Sequence, residues 1–564
     1  MARREATAPL LAHEDPIDSF DDEELELLRK EEAKHIRRER ARMVLCLGLA
    51  IILTSSAVTI TFYFAKMSLG RSRNVIMMVS DGFGPASQTY GRSFYQYKHN
   101  LAESKLTPLD EILVGTSRTR SSDSLVTDSA AGATAFSCAL KTYNAAIGVD
   151  PAGNPCGTIL EAAKDLGMLT GLVVTSRITH ATPASFSAHV VHRDMESEIA
   201  AQQIGDYPLT RQIDLMLGGG RCFFLPNTTQ GSCRTDGRDL IKEAKEEYGW
   251  KVVLEDRGEF EALNNILPLP AMGLFHLDHM NYEIDRMQQA NETKEPSLSE
   301  MTIAALTTLK DVGGMTRGFF LMIEGSRIDM GGHNNDPVAH LHEILEYHKT
   351  VAVVKKFIEE NPDTLVISTS DHETGGFTLG NQDDPDTFPE YLWRPEVIDR
   401  ATASTEKLTL QLYHFNTQSA KEPTQKEREQ FVRTQILDLG LGITDPTPQE
   451  IAFLSNKDVD YLKALPFLGH AISRRASLGW TTLGHTGVDV NLYAMGDGYK
   501  NLLGNHENTD IGVVMADYLK VDLSYITRKL QKTAGSWFKS KEDSKHFSTS
   551  TGRRARSQHQ KSGH

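Results

Sequence analysis

Aromatic residues make up only 7% of this 564-residue chain, and basic charge is in deficit: 60 Lys and Arg stand against 75 Asp and Glu, a formal net charge of −15. With no basic field to steer towards a phosphate backbone, nucleic acid is excluded as a partner class. Five cysteines are too few for a disulfide scaffold. Cys46 lies inside an apolar run. The short separations favour pairing Cys138 with Cys156 and Cys222 with Cys233, and four unpaired thiols is the alternative reading. No G-x-S-x-G elbow is present, which argues against an α/β-hydrolase triad. His192-Arg193-Asp194 imitates a kinase catalytic loop, but Ile199 stands where its Asn is required and no Gly-rich nucleotide loop accompanies it. No internal repeat is found. With 40% apolar and 24% charged residues the chain reads as globular. Its acidic surplus can serve hard divalent cations, and 20 histidines add nitrogen ligands.

Long hydrophobic runs are equally scarce, and the one that exists is informative. From Met43 to Ala65 no residue is charged, enough at ~1.5 Å per residue to cross a ~30 Å hydrocarbon core. It begins too far from the N-terminus for a cleaved signal peptide, so an uncleaved signal anchor is expected. Arg29, Lys30, Lys34, Arg37, Arg38, Arg40 and Arg42 precede it, against Lys66, Arg71 and Arg73 after it. Positive-inside logic therefore predicts a type II membrane protein with residues 1–42 cytosolic and 66–533 lumenal. The sequons at Asn227 and Asn291 are glycosylation candidates on that lumenal side. Glu23-Glu24-Leu25-Glu26-Leu27-Leu28 matches an acidic dileucine signal for a sorting adaptor, or equally an amphipathic helix turn. Residues 534–564 are rich in Ser, Lys, Arg and His and are expected to be a disordered basic tail.

Several apolar runs end in residues able to bind metal. Val75–Val79 runs into Ser80-Asp81-Gly82, and Leu172–Val174 leads towards His180-Ala181-Thr182. Phe319–Ile323 runs into Glu324-Gly325, and Leu365–Ile367 into Ser370-Asp371-His372. Short, fully apolar, β-branched runs suit strands buried on both faces, while Thr158–Leu166 and Ala339–Glu359 read as helices. The fold class is therefore α/β with a mostly parallel sheet, in which ligands bind beyond the carboxyl ends of the strands. Any one of these acids alone would read as a turn or a cap. Four strand ends carrying them together point to a site.

Val126-Thr127-Asp128-Ser129 followed by small residues predicts a helix with Ser129 at its N-terminus. There, free N–H groups and the positive dipole end favour an anion. Serine is a poor nucleophile at its own pKa and needs a base or a metal beside it.

From about Asn74 to Lys520 these segments resemble the alkaline phosphatase family. The carriers are VSDGFG at 79–84, VTDSAAGATA at 126–135, HATPA at 180–184 and LGGG at 217–220. They continue with IEGSRIDMGGH at 323–333, STSDHETGG at 368–376 and LGHTG at 483–487. With its N-terminal anchor the chain is most similar to the membrane-anchored vacuolar members of fungi. The resemblance implies a three-layer fold with a central, mostly parallel sheet between helices, and hydrolysis of a broad range of phosphate monoesters through a phosphoserine, with an alkaline optimum. It implies two Zn2+ and one Mg2+ per subunit, and a homodimer. Asp329, His333 and His485 would hold one zinc, and Asp81, Asp371 and His372 the other, next to the nucleophile Ser129. Asp81 would bridge to a magnesium with Thr182 and Glu324, and Arg193 would clamp phosphate.

Two positions depart from the family pattern. His180 stands where bacterial members carry Asp, which makes it a neighbour of the ligands rather than one of them. Met330 stands where bacterial members carry Lys and animal members His, and it cannot donate a hydrogen bond. His276, Asp278, His279, His340 and His342 are expected to be core or solvated residues, not metal sites. The stretch at 381–448 is expected to form surface insertions. Rival readings are a phosphodiesterase of the same superfamily or an inactive membrane-tethered binding protein. A sulfatase is excluded because Ser129-Ala130-Ala131 lacks the required C/S-x-P-x-R context.

Overall fold

The computed structural model describes residues 22–68, 72–291, 293–313, 318–382, 384–419 and 421–533. The chain divides into two units, Met1–Gly70 and Arg71–His564. The described part of the first is a single helix, Asp22–Ser68. This helix contains the run expected as an anchor, but the side chains of residues 57–65 lie outside the described residues. Among the described residues, no helix is long and apolar enough to cross a membrane. The tail at 534–564 also lies outside them.

The second unit is built on a ten-stranded sheet. Its order from one edge is Gly504–Glu507, Leu113–Arg118, Val490–Gly496, Thr364–Thr369, Asn74–Ser80, Phe319–Gly325, Leu169–Arg177, Leu215–Gly219, Ala271–Leu274 and Val252–Leu254. Only Val490–Gly496 runs antiparallel to its neighbours. The expected mostly parallel α/β architecture is thus observed. Alternation along the central strands sends side chains to two faces. Ile76, Met78, Leu321 and Ile323 enter one apolar cluster, whereas Val75, Met77, Phe320 and Met322 enter another. Each such side chain, fully removed from water, contributes roughly 1.5–3 kcal/mol. Two covered faces explain why these strands carry unbroken apolar runs instead of an alternating pattern.

Helices close both faces. Pro337–Glu360 starts with Pro in its first turn, and Asp336 accepts hydrogen bonds from the N–H groups of Val338 and Ala339. Ile159–Asp165, on the other face, starts from a capping box between Thr158 and Glu161. The segment at 381–448 is more than a surface insertion. It supplies the helices Pro395–Ile398, Thr405–Gln418 and Gln425–Phe431 and the wider turns of Val432–Gly440. From it Val397, Leu408, Leu412, Val432 and Ile436 join the core cluster of one sheet face.

Register brings the polar strand ends together. Val79 pairs with Glu324 on one side and Thr369 on the other, and Val174 also pairs with Glu324. Asp81, Glu324 and Asp371 therefore emerge together at the carboxyl ends of three central strands, where the sequence pattern placed them. The disulfides pair as favoured, Cys138 with Cys156 and Cys222 with Cys233, with Cα separations of 6.0 and 4.9 Å. Both separations lie in the range that a disulfide spans. Cys46 is unpaired. Asn227 and Asn291 are exposed.

Candidate active site

Ser129 is the first residue of the helix Ser129–Cys138, and Asp128 caps it by accepting a 3.0 Å hydrogen bond from the Ala131 N–H. The small residues of this helix have a steric reason. A Cβ added to Gly132 would stand 2.9 Å from the Asp371 Cβ, so a larger side chain would push the helix away from the strand end. Gly82 plays the corresponding part after the strand Asn74–Ser80. Its φ is +71°, and a Cβ there would meet the Asp329 Cα at 2.6 Å. These close approaches put Ser129 Oγ 3.1 Å from His372 Nε2 and 3.5 Å from Asp81 Oδ1.

Around that hydroxyl the sequence-predicted residues converge. One carboxylate oxygen each from Asp81 and Asp371 and one nitrogen of His372 lie within 4.8 Å of one another, and so do atoms of Asp329, His372 and His485. His372 is thus within reach of both groups. His333 completes the second: its Nε2 is 3.0 Å from His485 Nε2 and 3.4 Å from Asp329 Oδ2. His333 Nδ1 faces the Leu483 carbonyl at 2.6 Å, and His485 Nδ1 faces the Thr127 carbonyl at 2.8 Å. Donation to these carbonyls leaves both Nε2 lone pairs aimed into one space, which a shared cation satisfies. The Thr374 hydroxyl donates to Asp329 Oδ1 at 2.5 Å and accepts from His372 Nδ1 at 3.2 Å. It thereby fixes the His372 Nε2 lone pair towards Ser129.

Glu324 and Thr182 are both fully buried beside these groups. Glu324 Oε2 accepts from Ser326 Oγ at 2.6 Å, while its Oε1, Asp81 Oδ2 and Asp371 Oδ2 are buried without a hydrogen-bond donor. Buried carboxylate oxygens without donors are costly unless a cation meets them. The acidities agree. Burial, then the carboxylates of Asp371, Asp329 and Glu324, push Asp81 well above the usual carboxylate range. Burial also pushes Glu324 up to about 7, against the Ser326 and Thr182 hydroxyls, and Asp371 up to about 7 with help from Asp329. Burial acts on Asp329 in the same direction, but His333, His485 and His372 outweigh it and hold its carboxyl below the ordinary value. Burial and His485 push His372 well down, which keeps it neutral and able to ligate. Crowded carboxylates with neutral imidazoles suit divalent cations, the Asp and His sets suiting zinc and the oxygen-only set of Asp81, Glu324 and Thr182 suiting magnesium.

Arg193 is tied to the residue preceding Ser129. Its Nη1 donates to Asp128 Oδ2 at 3.0 Å, and its Nη2 faces His180 Nε2 at 3.2 Å. The guanidinium is thereby held in one plane, the requirement for a fork that grips two oxygens of one phosphate. A serine hydroxyl at a helix N-terminus, a gathered carboxylate and imidazole set and a fixed guanidinium are chemically suited to a phosphoryl group.

Comparison with known proteins gives the same reading. The family model described as "Alkaline phosphatase" matches residues 72–521. This chain belongs to the alkaline phosphatase family. It is 48% identical over 490 residues to an alkaline phosphatase of Schizosaccharomyces pombe, covering 86% of this chain and 89% of that one. It is 44% identical over 511 residues to the repressible alkaline phosphatase of Saccharomyces cerevisiae, covering 87% and 88%. Among solved structures, a cold-active alkaline phosphatase from the psychrophile Shewanella sp. superposes with a TM-score of 0.65 at 31% identity, covering 79% of this chain and all but 1% of that one. As an alkaline phosphatase the protein is a metal-dependent hydrolase of phosphate monoesters.

Other residues at the site carried no signal of their own in the sequence. Asp128 sat inside VTDSAAGATA as a cap-type residue, with nothing to mark it as the partner of Arg193. Thr374 sat inside STSDHETGG. The main-chain carbonyls of Thr127 and Leu483 have no side-chain signature at all. Met330 is buried against the Arg327 guanidinium, with Nε 3.3 Å from its sulfur, and belongs to the apolar core. Among the residues set aside, His340 is a core histidine bonded to Ser87 and to the Ile328 carbonyl. His279 is buried against Arg177 and stands edge-on to His180, with ring centroids 5.2 Å apart.

Proposed function

We propose that phosphate monoesters are hydrolysed through a phosphoserine on Ser129, with Asp329, His333 and His485 holding one Zn2+, Asp81, Asp371 and His372 a second, and Asp81, Thr182 and Glu324 an Mg2+. The observation that carries this reading is Ser129 Oγ standing at a helix N-terminus, within 3.5 Å of His372 and Asp81, next to Asp128, which fixes an arginine. When bound, the cations supply Lewis-acid charge that makes a serine alkoxide and a hydroxide available and stabilises the phosphoryl oxygens. Arg193 grips two of those oxygens, with Asp128 and His180 holding its plane. The helix N-terminus adds a positive field to the same group. In the first displacement the bond from Ser129 Oγ to phosphorus forms, the ester P–O bond breaks, and the alcohol leaves with a proton. In the second, water attacks phosphorus and the Oγ–P bond breaks, releasing phosphate. Two in-line displacements retain configuration at phosphorus.

Residues 43–65 are assigned as a signal anchor, with 1–42 cytosolic and open to a sorting adaptor at residues 23–28. The catalytic domain at 66–533 is then lumenal, glycosylated at Asn227 and Asn291, and followed by the basic tail at 534–564. The charge asymmetry around the apolar run supports this topology, while vacuolar location and a homodimer rest on the family resemblance alone. Ser129→Ala is the decisive test. The variant should lose covalent labelling by 32P-phosphate and at least 1,000-fold in turnover, an order set by loss of a nucleophile, while keeping its bound metal. Retained turnover overturns the assignment.

A further inference from the structure

The groups described above address the phosphoryl group of the ester, so the residues next to them decide which alcohols are accepted. Large apolar side chains gather there on two segments. Leu125 is 80% exposed and Val126 38%, immediately before Thr127-Asp128-Ser129. Leu483 is 50% exposed and Val488 47%, on either side of His485. These segments touch: a Cβ added to Gly487 would stand 3.2 Å from the Leu125 carbonyl and 3.7 Å from Val126 Cγ2. They are also tied to the site itself. The Thr127 carbonyl orients His485 at 2.8 Å, and the Leu483 carbonyl orients His333 at 2.6 Å.

Their position follows the path of the leaving group. In-line displacement sends the alcohol away from Ser129. Under the two-displacement reading above, with Ser129 Oγ against His372 and Asp81, the departing oxygen is assigned to His333 and His485, and Leu483 and Val488 flank His485 in the chain. Two exposed carboxylates stand on the same segments, each held by neutral hydrogen-bond donors. Asp123 is engaged by Ser121 and the Asn144 N–H, Asp489 by Asn505. Apolar residues are commonplace on surfaces, but four on two touching segments, whose backbone also orients His333 and His485, suit contact with a ligand.

We infer that Leu125, Val126, Leu483 and Val488 form an apolar leaving-group subsite, selecting phosphate monoesters whose alcohol carries an alkyl or aryl group over those of small polar alcohols. The inference rests on the phosphomonoesterase reading. It is tested with ethyl, butyl and hexyl phosphate, whose leaving groups differ in apolar length and hardly in acidity, and with phenethyl phosphate as the aryl arm. In the full-length, metal-loaded enzyme, kcat/KM should rise about 10-fold from ethyl to hexyl phosphate, a partial share of what full burial of four methylenes would give. In the double variant Leu125→Ser, Val488→Ser that ratio should fall towards 1. In Ile266→Ser, an exposed apolar residue after the helix Arg257–Ala262, it should stay at 10. A ratio near 1 in the parent enzyme overturns the inference, as does a ratio that the double variant leaves intact or that Ile266→Ser also abolishes. Failure to hydrolyse any of the esters, ethyl phosphate included, overturns the underlying phosphomonoesterase reading instead, and the subsite falls with it.

Discussion

Asp128 divides its two carboxylate oxygens between the fold and the phosphate pocket. Oδ1 caps the nucleophile helix through the Ala131 N–H, while Oδ2 receives the Ala145 N–H and Arg193 Nη1, each at 3.0 Å. The two functions can be separated by substitution. In Asp128→Asn one amide atom keeps the cap, but an NH2 at the Oδ2 position would face two donors and release Arg193. The inhibition constant for inorganic phosphate should rise about 10-fold, the loss of one charge-assisted hydrogen bond, and the loss of stability should be limited to that of the Ala145 N–H bond. Asp128→Ala should weaken phosphate to the same degree and also lose about 1 kcal/mol of stability with the cap. Phosphate inhibition and thermal melts of the two variants check both halves. Equal phosphate affinity in Asp128→Asn and the parent would show that Arg193 is held by other contacts.

At the scale of elements, the helix Ile159–Asp165 is locked to the chain before Arg193 by a buried ion pair that chemistry at the site does not use. His189 Nε2 stands 3.0 Å from Glu161 Oε1, both side chains are fully buried, and Tyr207 donates to the same oxygen at 2.6 Å. His189 Nδ1 reaches the Gly148 carbonyl. Burial opposes the charge on His189, but Glu161 and these bonds outweigh it and raise its pKa above 6.5. For Glu161 burial is likewise outweighed, by His189 and the Thr158 and Tyr207 bonds, and its pKa falls below 4.5. The sign follows. The His189 contribution is fully present below pH 6.5 and is lost as pH rises through its raised folded value. The Glu161 contribution is present above pH 4.5 and is lost as pH falls through its lowered one. His189→Gln should therefore cost about 3 kcal/mol between pH 5 and 6.5, measured by chemical unfolding, and less at pH 9. A cost that grows towards alkaline pH would contradict the pairing.

For the molecule as a whole, the strands that hold the site were legible because burial on both faces demands continuous apolar runs, and each run ended in a ligand-type residue. The helix at Ser129 and the disulfide pairing follow from local spacing and cap chemistry, whereas the seven motifs carry roles only through the family resemblance. The helical layer at 395–454 was hidden, since its apolar residues are spread among acidic and polar ones and find their core only through the fold. The Arg193 to Asp128 bond was hidden as well, because it joins residues far apart in sequence. The convergence of Asp81, Glu324, Asp329 and Asp371 sets a final prediction. Four buried carboxylates at the carboxyl ends of the central strands, two of them raised to about 7, repel one another, and cations would relieve that repulsion in the folded state. A site filled at 1,000 times its dissociation constant adds about 4 kcal/mol. Chelation at pH 8 should therefore lower the melting temperature of the enzyme by several degrees besides abolishing ester hydrolysis, and Zn2+ with Mg2+ should restore both. Because the same carboxylates would take up protons in the empty site, the melting point lost to chelation should shrink as pH is lowered towards 6. A chelated enzyme that melts like the untreated one at every pH would refute the link between the metal centre and the stability of the sheet.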